Sequence, residues 1–155
     1  MTESPYQIER DGFTISTDKS RLDFDVIHAF LTRSYWIAGV PKDLVVKAAQ
    51  HSLNFGLYRG ARQVGYARVV TDYVSYGYLC DVFVLPEQRG KGLGKWLVES
   101  VLNCPLLSGL RAIGLGTRDA QGLYARFGFA HPEDPSRMMT LRRDMPWFRP
   151  DMIEE

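Results

Sequence analysis

The 155-residue sequence holds only two cysteines, Cys80 and Cys104, and three histidines. Two cysteines build no disulfide framework. A chain of this length does not need one, because about 150 residues bury a sizeable core. Both are read as buried thiols, the usual state of free Cys, and a reducing cytoplasm is the expected compartment. His28, His51 and His131 lie at no ligand spacing, so no metal is expected. An excess of charge is also missing: 19 Lys and Arg stand against 18 Asp and Glu, for a net charge of +1. Nothing here asks for nucleic acid or an anionic membrane as partner. No apolar run approaches the roughly 18 residues that cross a bilayer. The opening stretch MTESPYQIERDG is polar and has no secretory hydrophobic region. Internal repeats, low-complexity tracts and long linkers are absent. What is present is a globular composition, 45% hydrophobic and 24% charged, expected to form one domain over residues 1–155. Residues 142–155 form a C-terminal tail in which Pro146 and Pro150 argue against regular structure.

Periodicity lays out the elements. FTIST (13–17) alternates as a short strand, and DFDVIHAFLTRSYW sets Phe24, Ile27 and Leu31 at helical spacing. PKDLVVKAAQHS reads as a second helix with Pro41 in its first turn. LNFGLYRGARQVGYARVVTD is a hairpin turning at Gly60, and YGYLCDVFVL is a third, more buried strand. A helix follows with Leu93, Leu97 and Val101 on one stripe. LRAIGLGT is a strand. DAQGLYARFG is a short helix that Asp119 is expected to cap and Gly128 to end. RMMTLRR (137–143) is expected as a last strand. Hairpins first and strand–helix alternation later imply a mixed α/β (α+β) sheet with helices packed on it.

Three glycines at alternate positions interrupt this plan in QRGKGLG (88–94). A Walker loop fails, because Gly94-Lys95 is followed by Trp96 and the position five before Gly94 is Arg89. The dinucleotide fingerprint fails from either Gly90 or Gly92. What remains is Arg-x-x-Gly-x-Gly: Arg89, Gly92 and Gly94, with Gly90 adding freedom. The N–H groups at a helix start lack intrahelical partners, the helix dipole adds positive charge, and glycines let a pyrophosphate approach the backbone. Arg89 and Lys91 can supplement the amides with charge.

VFVLPEQRGKGLGKWLVESVL closely resembles the acetyl-CoA-binding motif of the GNAT superfamily of N-acetyltransferases. TRDAQGLYARFGFAHP resembles that family's closing segment, with Tyr124 four residues before Gly128-Phe129. With GYARVV upstream, the resemblance covers roughly residues 53–141. It implies a mostly antiparallel sheet flanked by helices on both faces, with a splayed strand pair forming the cofactor cleft. It implies direct acetyl transfer from acetyl-CoA to an amine, without a metal. Tyr124 is then the acid that protonates the departing thiolate. A backbone N–H at Phe83 or Val84 meets the carbonyl. Arg89, Gly90, Lys91, Gly92, Leu93, Gly94 and Lys95 form the pyrophosphate cradle. Many family members carry Asn where this chain has Thr117; the resemblance implies that Thr117 contacts the cofactor, and its hydroxyl can hydrogen-bond although it cannot reproduce both amide contacts.

Asp81 is the candidate to take the acceptor's proton, directly or through water. Alternation puts it on the face of Phe83 and Leu85, and an ordinary ion pair is the other reading. Tyr35 and Trp36 sit in RSYWIAGVPKD, where the family builds its acceptor site. Aromatic walls suit an apolar or cationic acceptor, although both rings could simply pack the loop onto the sheet. Tyr73, Tyr76 and Tyr78 add aromatic surface. A small-molecule amine is the expected acceptor. A protein or peptide acetyltransferase, and an inactive CoA-binding sensor or interaction module, are the alternatives. A homodimer is compatible with the sequence; neither nucleic acid nor a membrane is expected as partner.

Overall fold

The computed structural model describes residues 4–154; residues 1–3 and 155, the ends of the expected domain and of its tail, lie outside the described residues. Six strands form one sheet in chain order: β1 (Gln7–Arg10), β2 (Phe13–Ser16), β3 (Leu53–Arg59), β4 (Arg62–Thr71), β5 (Gly77–Val84) and β6 (Ile113–Gly114). β1 to β5 pair antiparallel, and β6 joins β5 in parallel. The helices are α1 (Phe24–Leu31), α2 (Lys42–Gln50), α3 (Leu93–Leu102) and α4 (Gln121–Ala125). This is the mixed, mostly antiparallel sheet with helices on both faces that the sequence leads one to expect.

The two faces carry separate cores. α3 lays Leu93, Trp96, Leu97 and Val101 against Ile15, Phe55, Leu57 and Val69 of the sheet. Each such fully buried aliphatic side chain contributes about 1.5–3 kcal/mol. On the other face α1 and α2 cover Tyr66 and Phe83 with Ile27, Leu31 and Val45. Asp23 caps α1, accepting from the N–H groups of Asp25 and Val26.

One strand is present that was not expected, and one expected strand is absent. β1 had no counterpart in the sequence reading. Its signal was Asp11-Gly12, at φ 52° and 83°, the turn that reverses β1 into β2. RMMTLRR forms no strand: it alternates, but a strand needs a partner edge, and β6 ends after two residues. Met139 (95%) and Leu141 (81%) are left exposed. The tail is not idle. Arg149 N–H donates to the Ala38 carbonyl at 2.9 Å and Glu154 N–H to the Arg33 carbonyl at 3.0 Å. A Cβ on Gly39 would stand 2.5 Å from the Trp147 carbonyl oxygen. The tail therefore straps down the loop that carries Tyr35 and Trp36.

Candidate active site

β5 and β6 touch only at Gly77–Ile113 and Tyr78–Gly114. Beyond that point they part, and a cavity of about 350 Å³ occupies the wedge. Residues 78–82 line one side and 115–120 the other, with Tyr35, Trp36 and Tyr124 completing the wall. Of the three tyrosines expected as aromatic surface, Tyr78 lines the cavity, while Tyr76 covers Gly114 of β6.

A bulge sets the wall of β5. Arg68 pairs with Cys80 and Tyr66 with Phe83, so two residues of β5 oppose one of β4. Asp81 takes φ 56° there, a left-handed conformation that Asp tolerates better than most residues. The bulge resets the alternation: Leu79 packs on the α3 side and Phe83 on the α1 side. Asp81 still meets the α1 side, through Trp36. Its Oδ1 accepts from Trp36 Nε1 at 2.9 Å and its Oδ2 from Arg68 Nε at 2.8 Å. Arg68 Nη1 donates to Ser52 Oγ, which donates to the Ala48 carbonyl of α2. Asp81 is 7% exposed, and a buried charge persists only when paired and hydrogen-bonded. Both its oxygens are engaged, Oδ1 by Trp36 and Oδ2 by Arg68. Arg68 and Ser52 escaped the sequence reading; a lone arginine within the apolar run of β4 was the available signal.

Tyr124 is fixed from both ends of α4. The turn ahead of α4 is held by Thr117, whose Oγ1 accepts from Ala120 N–H at 3.0 Å. Asp119, the expected cap, instead faces Arg118 at 3.7 Å, and the helix starts at Ala120 with no side-chain cap. At the other end Gly128 (φ 94°) closes the helix. Phe129 N–H donates to the Tyr124 carbonyl, and the two rings meet edge to face at 5.8 Å, the apolar contact that accompanies such a cap. Burial first, and the neighbouring Tyr35 second, push the Tyr124 phenol above its ordinary value. It therefore holds its proton at neutral pH. Tyr35 spans the cavity: its Oη accepts from Arg118 N–H at 3.1 Å, and the Arg118 guanidinium lies 4.1 Å from the ring centre. Burial, and then Asp81, push the Cys80 thiol up to about 12, so this cavity-lining sulfur stays protonated and is no nucleophile.

The open edge of β5 distinguishes the two expected carbonyl donors. Leu85 N–H donates to the Val64 carbonyl of β4. Alternation then turns the Phe83 N–H toward β4 and the Val84 N–H toward the edge that β6 leaves free. Phe83 instead stacks its ring on Phe30 at 4.1 Å.

The glycine turn lies beyond the end of β5. Gly90 and Gly92 take φ 84° and 75°, and Gly92 is the N-cap of α3, with no side-chain cap and no acid in the first turn. Among the described residues no acceptor meets the N–H groups of Leu93, Gly94 and Lys95. A Cβ on Gly90 would meet nothing within 4 Å, and one on Gly92 only the Arg10 guanidinium. These glycines thus supply a backbone turn and leave open ground above the donors, which fits a diphosphate. Arg89 Nε reaches back to the Val84 carbonyl at 3.3 Å. Lys91 leans away to Gln88 Oε1 and the Phe13 ring. Among the described residues no three metal-ligating side chains cluster, and no helix is long and apolar enough to cross a membrane.

A family model described as an acetyltransferase (GNAT) domain matches residues 50–131, and the chain belongs to that acetyltransferase family. A Gibberella zeae protein classed as an acetyltransferase is 33% identical over 144 residues, covering 79% of this chain and 81% of that protein. A crystal structure of a GNAT-family protein from Xanthomonas campestris pv. campestris superposes with a TM-score of 0.81 at 47% identity, covering 86% of this chain and 94% of its own. A GNAT-family acetyltransferase from Streptococcus pneumoniae gives 0.60 at 25% identity, covering 85% and 99%.

Proposed function

We propose that the protein moves an acetyl group from acetyl-CoA to the primary amine of a small molecule, by direct attack within a ternary complex. One observation carries this reading: the wedge beside β5 is lined by a protonated phenol, and the chain leaving β5 runs into a helix start whose donors have no partner among the described residues. Acetyl-CoA supplies an activated thioester. The start of α3 binds the diphosphate with its free N–H groups and dipole. The Val84 N–H lies where it can stabilise negative charge on the carbonyl oxygen. As the C–N bond forms and the C–S bond breaks, Tyr124 gives its proton to the departing sulfur, and the proton shed by the attacking nitrogen returns through water to the phenolate. Tyr35, Trp36 and Tyr78 form an aromatic wall against which an amine can rest. Asp81 holds Trp36 and Arg68 in place. The protonated Cys80 supports transfer without an acyl-enzyme. A cavity of about 350 Å³ suits a small acceptor.

The test is thiol release from acetyl-CoA across a panel of small amines and peptides, with thermal unfolding followed in parallel. Small amines should give release, and CoA should raise the midpoint. No stabilisation by CoA and no release with any amine would overturn the proposal. Faster turnover of peptides than of every small amine would overturn its acceptor half.

A further inference from the structure

We infer that Arg10, Arg59 and Lys91, gathered around Phe13, form a recognition site for the 3′-phosphate of the coenzyme's nucleotide; this rests on the acetyl-CoA reading above. The sheet register assembles the site. Arg10 pairs with Phe13 across the first hairpin, and Phe13 with Arg59 across the next strand. The three lie in one row, and the glycine turn adds Lys91. The Arg59 guanidinium and the Lys91 ammonium lie 5.5 and 5.6 Å from the centre of the Phe13 ring. Arg10 rests on Trp96 of α3 at 5.2 Å. Together they border a depression of about 340 Å³.

Ion pairing does not explain this gathering. The depression is lined by three cations and one carboxylate, Asp11. Asp11 lies 3.9 Å from Arg10 Nε, with its side chain 89% exposed. Among the described residues no carboxylate lies within 4.0 Å of Arg59 or Lys91. Aromatic faces orient the cations, and the N–H groups of Arg10 and Arg59 remain free to donate. A phosphate monoester, at about −1.5 to −2 charge near pH 7, matches such a surplus.

Position decides which phosphate. Arg10 Nη2 lies 3.9 Å from where a Cβ on Gly92 would be, so the row adjoins the helix start that takes the diphosphate. In CoA the 3′-phosphate is borne by the ribose whose 5′ carbon carries that diphosphate. The two anions are one sugar apart, and the cations sit on the β1–β2 side of α3 to receive the second.

Calorimetric titration of the full chain with CoA and with dephospho-CoA tests this. CoA should bind about tenfold more tightly, equivalent to about 1.4 kcal/mol. That ratio should shrink as ionic strength rises. The double variant Arg10→Gln/Arg59→Gln should bring the ratio to about one, with dephospho-CoA affinity unchanged; that second affinity also reports that the variant is folded. Equal binding of the two coenzymes by the wild type overturns the inference and leaves the proposed function standing. A ratio that survives the double substitution places the 3′-phosphate elsewhere and overturns it too. Failure of both coenzymes to bind removes the inference together with the reading it rests on.

Discussion

On the proposed reading the start of α3 is the nucleotide end and the wedge around Asp81 is the acceptor end, and the two are built on opposite principles. At the start of α3 the peptide donors have no partner among the described residues, and only the Arg10 guanidinium comes near the turn above them. At Asp81 every charged atom is answered, by Trp36, Arg68 and, through Arg68, Ser52. The difference follows exposure. Donors at the surface are served by water until a ligand displaces it, so leaving them open costs little. A carboxylate at 7% exposure must find its partners inside the fold. On the proposed reading, the open end takes a diphosphate, and at the other Asp81 holds Trp36 of the aromatic wall by a hydrogen bond.

The contrast can be broken by removing the proton donor in the wedge. Tyr124→Phe should lower kcat by about 10²–10⁴-fold while CoA affinity and the unfolding midpoint hold; unchanged turnover would remove Tyr124 from the chemistry. Its raised pKa adds a pH test. The acidic form is the working one, and burial extends that form to higher pH. Activity governed by Tyr124 should therefore persist past the ordinary tyrosine range near pH 10, and an alkaline limb with a midpoint well below that range would point to another group.

The acceptor end should be the more fragile in stability. Asp81→Asn leaves Arg68 buried without its counter-ion, so denaturant unfolding should register a loss of about 3–5 kcal/mol. Adding Arg68→Met should cost less than the two single losses combined. An additive result would mean that the pair is not a unit.

The nucleotide end should show the smallest change in stability and a clear change in binding. Gly92→Ala places a side chain at φ 75°, costing about 1–2 kcal/mol, and raises a methyl group over the donors. CoA affinity should fall, while the unfolding midpoint of the protein without CoA drops by only a few degrees. Unaltered CoA affinity would show that nothing lies close against this turn.

Much of the nucleotide end was legible because it is contiguous. Residues 88–95 carry their turn, their helix start and their charge in one run of chain. Tyr124 and Gly128 were legible for the same reason, since a helix and its cap are local. Asp81 was found, but its partners were not: Trp36 arrives from a loop, Arg68 from the neighbouring strand and Ser52 from the start of β3. RMMTLRR shows the converse. Its alternation is a local property, whereas strand formation depends on an edge that β6 does not provide.

By itself the sequence determined the order of elements from β2 to α4, the sides of α1 and α3 that face the core, and the free donors ahead of α3. These follow from periodicity and from local backbone chemistry. Tertiary structure alone decided that β5 and β6 part after two residue pairs, that a bulge turns Asp81 into an anchor, and that Arg10, Phe13 and Arg59 share one row. Those outcomes depend on register between distant segments, and hydrogen bonding across strands fixes register only once the chain has folded.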